Sequence, residues 1–260
     1  MDQHELAEEY DDALVALLEL IWGEGFLSPG GPDAVRKIVK GLELSDKLVV
    51  DIGSGLGGPG ITLAKEYGAR VIGLEVEQGL VQRAVDHIES ADLSNRISCR
   101  HYEPGPLPLP DNAADFVFGK DSWIHIEDKK AFFDEVFRIL KPGGILTAGD
   151  WMCSDKPYGQ DMAYFFELEG LTYHMDTLEN YGQILRECGF IDIVLEDIAQ
   201  TYQVQAQQEY TAMRGPLENQ MREILGEKAK AHFIENWRAL TVVLDNGELR
   251  PSRFRAHKPE

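Results

Sequence analysis

Positive charge is scarce in this sequence. Its 260 residues include 25 Lys and Arg against 45 Asp and Glu, which gives a formal net charge of −20 at pH 7. A chain this acidic binds nucleic-acid backbones and anionic membrane surfaces poorly, because both demand clustered cations. We therefore expect no nucleic-acid partner, no membrane partner, and a small-molecule ligand that is neutral or cationic.

Cysteine is also scarce, and long apolar runs are missing. The three widely spaced cysteines, Cys99, Cys153 and Cys188, fit neither a disulfide framework nor a zinc site. No apolar run reaches the length of a membrane span. The start of the chain is acidic and lacks the basic and apolar regions of a signal peptide. We expect a cytoplasmic protein with reduced thiols and no metal site.

The apolar pattern from residue 48 onward alternates between short strands and helices. Strands are predicted at 48–52, 71–74, 97–102, 114–118 and 145–149, with helices at 61–67, 80–90 and 129–140. This alternation predicts an α/β fold: a parallel sheet with helices on both faces.

Helical segments flank this region. Helices are predicted at 5–22 and 32–42 before it, and at 161–171 and 177–187 after it. A long polar helical stretch from 203 to 244 is interrupted near Gly215 and Pro216. Strands are predicted at 191–195 and 253–256, the latter as a last edge strand.

The sharpest local signal is the glycine loop VDIGSGLGG (50–58), which lies between a strand and a helix. Gly53 and Gly55 permit a tight turn and close approach of a ligand to the backbone, and the helix start behind them offers free N–H groups. Gly53, Gly55 and Gly58, with Glu75 further on, also satisfy the dinucleotide fingerprint. On this motif alone an NAD-binding protein is a serious alternative.

Three further features favour a different nucleotide ligand. Asp51 ends the strand directly before the glycines, where it can hold a ligand ammonium group. Glu103 follows the third strand, and LKPGG (140–144) joins a helix to the next strand by an abrupt turn. Over roughly residues 47–195, these ordered motifs resemble those of class I S-adenosylmethionine (SAM)-dependent methyltransferases.

That resemblance implies a Rossmann-like seven-stranded sheet whose last strand runs antiparallel, with SAM over the glycine loop. It implies contacts from Glu75 to the ribose hydroxyls and from Glu103 near the adenine. With the neighbouring positions included, the cofactor-binding residues are predicted to be Asp51, Gly53, Ser54, Gly55, Gly57, Glu75, Tyr102, Glu103, Asp121 and Ser28. We divide the chain into an N-terminal helical cap (1–42), a SAM-binding core (43–150), and a helical lid with C-terminal strands (151–260) that completes the same domain.

A narrower resemblance rests on GEGFLSPGG (23–31), the glycine loop and KDSWIH (120–125). These segments are similar to the phosphoethanolamine N-methyltransferases and to the related sarcosine/dimethylglycine N-methyltransferases. The resemblance implies that Tyr10 and His125 form a catalytic pair that closes the site and assists deprotonation of the amine. Ser28 matches a serine of the loop over SAM, and Asp121 matches the acidic residue before the histidine.

Aromatic residues follow the strand ends: Trp123, Trp151, Tyr158, Tyr164, Tyr173 and Tyr181. Aromatic faces bind methylated ammonium groups by cation–π contact. The resemblance implies that Trp151 and Tyr173 bind the substrate, because both fall where the phosphoethanolamine enzymes have substrate-binding tyrosines, and we add Trp123 as a third substrate-binding residue. Trp151 replaces a family tyrosine, and Leu171 falls where the family has an arginine. A phosphate clamp is therefore missing here, unless Arg250, Arg253 or Arg255 supplies one.

The sequence thus predicts a SAM-dependent methyltransferase that N-methylates a small amine. The acceptor is of the glycine, sarcosine or dimethylglycine type, or of the phosphoethanolamine type. One alternative is an O-, S- or C-methyltransferase that uses His125 as base. Others are a nucleotide-dependent oxidoreductase and a SAM-binding protein without catalysis.

Overall fold

A seven-stranded sheet forms the centre of the computed structural model, which describes residues 10–260. The strands are β1 (Leu48–Ile52), β2 (Arg70–Glu75), β3 (Ile97–His101), β4 (Ala114–Lys120), β5 (Leu140–Asp150), β6 (Ile191–Asp197) and β7 (Ser252–His257). Their order in the sheet is β3-β2-β1-β4-β5-β7-β6, and β7 is antiparallel to both of its neighbours. This confirms the predicted Rossmann-like sheet with an antiparallel last strand.

Helices cover both faces of the sheet. They are α1 (Asp12–Trp22), α2 (Gly31–Ile38), α3 (Gly58–Tyr67), α4 (Gln78–Ser90), α5 (Lys129–Ile139), α6 (Gln160–Glu169), α7 (Leu178–Glu187), α8 (Ala199–Met213) and α9 (Glu218–Asp245). We call α6, α8 and α9 the lid helices; α9 packs on α6, on α8 and on α1. No helix within residues 10–260 combines the length and the apolar character needed to cross a bilayer.

Side chains of the central strands alternate between two apolar cores. Val49 of β1 packs in the core beneath α1, α3 and the lid helices, while Val50 packs in the core beneath α5 and α7. Phe116 and Val117 of β4 alternate in the same way. Each fully buried side chain of this kind contributes about 1.5–3 kcal/mol, so burial on both faces holds the carboxyl ends of β1, β2 and β4 at one edge.

Helix ends follow their capping signals. The carboxylate of Asp11 accepts a hydrogen bond from Leu14 N at 2.8 Å at the start of α1, and Asp128 accepts one from Ala131 N at 2.9 Å at the start of α5. The helix predicted at 5–22 is observed from Asp12 onward, and its residues 5–9 lie outside the described residues. The predicted interruption near Gly215 separates α8 from α9.

The predicted position of the last strand is wrong. The sequence predicts an edge strand at 253–256, yet β7 lies between β5 and β6, and β6 is the edge. Along β7, Ser252, Phe254 and Ala256 are buried and alternate with the arginines. The arginines are accommodated because their side chains reach partners on neighbouring segments.

Candidate functional site

A cavity of about 900 Å³ opens at the carboxyl ends of β1, β2 and β4. Ligands bind at this edge in open α/β sheets. Its wall combines the loop before α2, the glycine loop, the ends of β2 and β3, and the turn after β4. These are the segments in which the sequence places most of the cofactor and catalytic residues.

Left-handed backbone shapes the glycine loop. Gly53, Gly55 and Gly57 have φ angles of 78°, 51° and 85°, a region that favours glycine. A Cβ on Gly53 would lie 2.3 Å from Ser122 Oγ, so this position has no room for a side chain. The loop is held to β2 by hydrogen bonds from Gly53 N and Ser54 N to Leu74 O, at 2.8 and 3.1 Å.

Asp51 is a buried carboxylate without a hydrogen-bond partner among the described residues. Its residue is 1% exposed, and neither Oδ1 nor Oδ2 is bonded. Burial, reinforced by the negative charge of Glu75 and opposed by Lys120, raises the pKa of Asp51 to about 8. An uncompensated buried acid beneath a glycine loop fits the amino group of a cationic ligand.

Glu75 connects the end of β2 to the glycine loop. Its Oε2 accepts a hydrogen bond from Gly55 N at 2.8 Å, and its Oε1 accepts from Val76 N and Glu77 N at 2.8 and 3.1 Å. A carboxylate offers about four acceptor positions. Glu75 therefore keeps capacity for one further donor in the cavity that it lines, as the predicted contact to a ribose hydroxyl requires.

The adenine side of the predicted cofactor site is only partly assembled in the cavity wall. Ser54 and Tyr102 line the cavity, and burial, with a smaller contribution from Glu75, raises the pKa of Tyr102 to about 12. Glu103 does not line it: its side chain is 87% exposed and lies 3.9 Å from His101 Nε2. The predicted contact of Glu103 with adenine therefore has no support in this arrangement.

Lys120 joins two predicted cofactor residues, and the sequence analysis missed it. Its buried ammonium group donates hydrogen bonds to Ser28 Oγ and to Asp121 Oδ2, the latter at 2.7 Å. All three residues line the cavity. The available signal was a lysine at the end of a central strand, where a cation needs a partner.

His125 and Tyr10 line the same cavity. Nδ1 of His125 lies 3.2 Å from the carbonyl oxygen of Thr172. Because a carbonyl only accepts hydrogen bonds, Nδ1 carries the proton and Nε2 of the neutral ring is an acceptor. Surrounding protein, together with the charges of Lys129 and His174, lowers the pKa of His125, which keeps the ring in its neutral, basic form at pH 7.

Several of the aromatic residues that follow the strand ends make structural contacts. Trp123 is 2% exposed, and its indole N–H donates to Ile52 O at 3.0 Å. It also lines the cavity, so its role in substrate binding stays a prediction beside this contact with the end of β1. Tyr181 is fully buried and donates to Asp150 Oδ2 at 3.1 Å, and Tyr164 donates to a surface carboxylate.

Trp151 and Tyr173 lie beside the cavity rather than in its wall. The Trp151 ring stacks on Phe165 with centroids 6.4 Å apart. The Tyr173 ring lies 5.4 Å from that of His125, and its hydroxyl donates to Glu169 Oε2 at 2.8 Å. Tyr173 therefore connects His125 to Glu169 of the lid helix α6.

The three C-terminal arginines do not form a clamp at the cavity. Each is engaged on another segment: Arg250 with Asp197, Arg253 with Glu196, and Arg255 with the carbonyl oxygens of Ile38 and Lys40. Among the described residues, the cavity wall contains no Arg, and its only Lys is Lys120. Within residues 10–260, no group of three or more His, Cys, Asp or Glu side chains could hold a metal ion.

Comparison with known proteins identifies relatives among the methyltransferases. A family model described as a methyltransferase domain matches residues 50–148. A phosphoethanolamine N-methyltransferase of Plasmodium falciparum is 30% identical over 194 residues, which cover 74% of this chain and 71% of that protein. Phosphoethanolamine N-methyltransferase 3 of Arabidopsis thaliana is 26% identical over 254 residues, 96% of this chain. The chain spans only 50% of that longer relative.

A solved structure shares the fold. Phosphoethanolamine N-methyltransferase 2 of Haemonchus contortus, in complex with phosphomonomethylethanolamine and S-adenosylhomocysteine, superimposes with a TM-score of 0.90 at 23% identity. The match covers 97% of this chain and 59% of the nematode protein. The fold implied by the sequence resemblance is therefore confirmed.

Proposed function

We propose that this chain, which belongs to the phosphoethanolamine N-methyltransferase family of SAM-dependent methyltransferases, N-methylates a small amine. Phosphoethanolamine is the acceptor in the names of its relatives. For this chain the acceptor class is the part of the proposal that needs its own argument, because the cavity wall holds so little positive charge.

The residues around the glycine loop fit SAM. Asp51 offers a buried carboxyl group without a hydrogen-bond partner, which can bind the amino group of the methionine moiety as a carboxylate once it has lost its proton. Glu75 keeps an acceptor position for a ribose hydroxyl, and the left-handed glycines let the backbone approach the ligand closely. SAM, when bound, supplies an electrophilic methyl group on a sulfonium sulfur.

The acceptor nitrogen must lose a proton before it can act as a nucleophile. A small amine has a pKa near ~10, by analogy with lysine, and is an ammonium ion at neutral pH. Nε2 of His125 is an unprotonated acceptor beside the cavity and can take that proton. Tyr10, which lines the same cavity, is positioned to orient the amine or to close over it.

The single observation that carries the proposal is the place of His125 in the cavity wall, with Nδ1 in contact with the carbonyl oxygen of Thr172. The Thr172 carbonyl oxygen, 3.2 Å from Nδ1, leaves Nε2 as the basic atom in a cavity whose wall includes most of the predicted cofactor residues, though not Asp51, Gly57 or Glu103. Alignment of the two reactants and exclusion of water supply the remaining rate acceleration.

The test is methyl transfer from radiolabelled SAM to a panel of amines, phenols and thiols. We expect transfer to nitrogen, SAM binding by calorimetry and no binding of NAD. His125→Ala should lower turnover about 100-fold or more while SAM affinity stays within a few fold.

His257→Ala is the matched control. His257 pairs with Ile145 of β5, at the end of the strands that lies away from the cavity. Transfer to phenols or thiols alone would replace the proposal with O- or S-methylation. Unchanged turnover in His125→Ala would remove the proposed base.

A further inference from the structure

Lys129 is a buried lysine at the first position of α5. Only 5% of the residue is exposed, although lysine is almost never fully buried without a partner. A cation at a helix N-terminus also interacts unfavourably with the helix dipole. Neither burial nor the position in the helix favours a lysine here, so its hydrogen bonds must account for it.

Lys129 joins two backbone segments through its Nζ. It donates to the carbonyl oxygen of Ile126 and, at 2.9 Å, to that of His174. We call residues 123–126 the histidine turn and residues 172–174 the carbonyl segment. Burial, opposed by nearby acidic groups, lowers the pKa of Lys129, but the ammonium and the neutral amine both carry the two N–H groups that these bonds require.

The carbonyl segment contacts the histidine turn at several points. Thr172 O lies 3.2 Å from Nδ1 of His125. The N–H of His174 donates to Ile124 O at 2.8 Å, and Lys129 forms a further connection. The segment belongs to neither a helix nor a strand, so these contacts, rather than a repeating backbone pattern, hold the Thr172 oxygen on the ring.

The position of the Thr172 oxygen decides which ring nitrogen of His125 is basic. In a neutral imidazole, the nitrogen that carries the proton is set by the hydrogen bond that the ring makes. A carbonyl oxygen on Nδ1 keeps the proton there and leaves Nε2 to accept the proton of the amine. Without that oxygen the proton can occupy either nitrogen, and a ring with its proton on Nε2 has no basic atom at that position.

We propose that Lys129 is a positioning residue for His125: it fastens the carbonyl segment to the histidine turn, so that Thr172 O stays on Nδ1. Lys129 is not part of the cavity wall, so it acts through the histidine rather than on either reactant. The inference rests on the proposed function, in which Nε2 of His125 takes the proton of the acceptor.

The first test observes the ring of His125 directly, by NMR of the full chain with isotope-labelled histidine. The chain has seven histidines, and His125→Ala identifies the signals of this one. At pH 8 the ring is neutral, because burial lowers its pKa below the ordinary 6.5, and the shifts of its nitrogens report where the proton lies. We expect the wild type to carry it on Nδ1.

Two variants remove the bridge. Lys129→Met keeps most of the length and the apolar stem of the side chain but has no donor, and we expect a mixture of both ring tautomers instead of the Nδ1–H form. Lys129→Gln places its amide nitrogen one bond short of the Nζ position, so it should shift the mixture in the same direction. It keeps the inference testable if Lys129→Met does not fold.

Lys130→Met is the matched control. The Lys130 side chain is 44% exposed and pairs with Asp134 on the same helix, so its loss should leave the ring signals of His125 unchanged. In turnover, both Lys129 variants should lower kcat about tenfold or more, as misplacement of a reacting group does, while KM and SAM affinity stay within a few fold. A merely structural lysine would change thermal stability without changing the tautomer.

The outcomes separate the two proposals. If the wild type lacks the Nδ1–H form, if the folded variants keep the wild-type tautomer, or if kcat is unchanged when the tautomer shifts, the positioning role is overturned while N-methylation stands. If the tautomer shifts but the wild type methylates no amine, the proposed function fails, and the ring signals still support the link between Lys129 and His125.

Discussion

The N–H of Gly58 donates a hydrogen bond to the carbonyl oxygen of Gly25 at 3.0 Å. This contact joins the loop before α2 to the last residue of the glycine loop, which is also the first residue of α3. A Cβ on Gly58 would lie only 2.4 Å from the Gly25 oxygen. Glycine at position 58 therefore lets the loop that contributes Leu27 and Ser28 to the cavity wall contact the glycine loop directly.

Replacing Gly58 by alanine should separate these two loops. We expect Gly58→Ala to lower the free energy of unfolding by about 1–3 kcal/mol, as overpacking does elsewhere, and to weaken SAM binding. Gly60→Ala in the same helix is the control, because its nearest neighbour is a Val71 methyl at 3.3 Å and alanine favours helix. Equal denaturant midpoints for the two variants would contradict the proposed coupling.

Asp51 should link SAM binding to pH. The folded protein raises its pKa from 3.8 to about 8. The protonated Asp51 side chain therefore makes its whole contribution to the free energy of unfolding below pH 3.8. This contribution is lost as the pH rises toward 8. Without ligand, the melting temperature of Asp51→Asn should be higher than that of the wild type at pH 8 and close to it at pH 4.

The same variant should bind SAM at least about tenfold more weakly, the scale of a hydrogen bond to a charged group. In the wild type at pH 7, calorimetry in buffers of different ionisation enthalpy should detect proton release as SAM binds. Asp155→Asn, at an exposed position, is the control. Stronger SAM binding by Asp51→Asn would remove the assigned role of the carboxylate.

His125 should govern the acidic limb of the pH profile. Its lowered pKa means that the ring loses its basic form only below the ordinary value of 6.5. With saturating acceptor, we expect kcat to be level near pH 7 and to fall at lower pH. The limb should disappear in His125→Ala, whose residual rate is expected to be pH-independent over that interval. A limb that survives in this variant would assign the titration to another group.

Trp123 should behave as a structural residue. Trp123→Phe removes the indole donor from the carbonyl oxygen of Ile52, which keeps the Ser122 hydroxyl as a donor at 3.0 Å. We expect a loss of about 0.5–1.5 kcal/mol in stability, the scale of one hydrogen bond. At a temperature where both proteins are folded, KM for the acceptor should match the wild type. A selective rise in KM without a change in melting temperature would restore the substrate role predicted from the sequence.

Local patterns predicted the sheet and the glycine loop because both depend on neighbours in the chain. The alternation of Val49 and Val50 between two cores, for example, follows directly from the period of a strand. The interior place of β7 depends on long-range pairing, which no local pattern in the sequence shows.

The place of β7 has a consequence for the order in which the chain can assemble. Strands β5 and β6 do not touch each other; the segment Ser252–His257 lies between them and bonds to both. During synthesis, β5 must therefore keep an unpaired edge while four further helices and β6 emerge from the ribosome.

The half of the sheet that carries the glycine loop can form early, whereas β6 has no place in the sheet until residues 252–257 arrive. An exposed strand edge invites pairing with other chains, so the interval before those residues emerge is when the nascent protein is most open to misassembly.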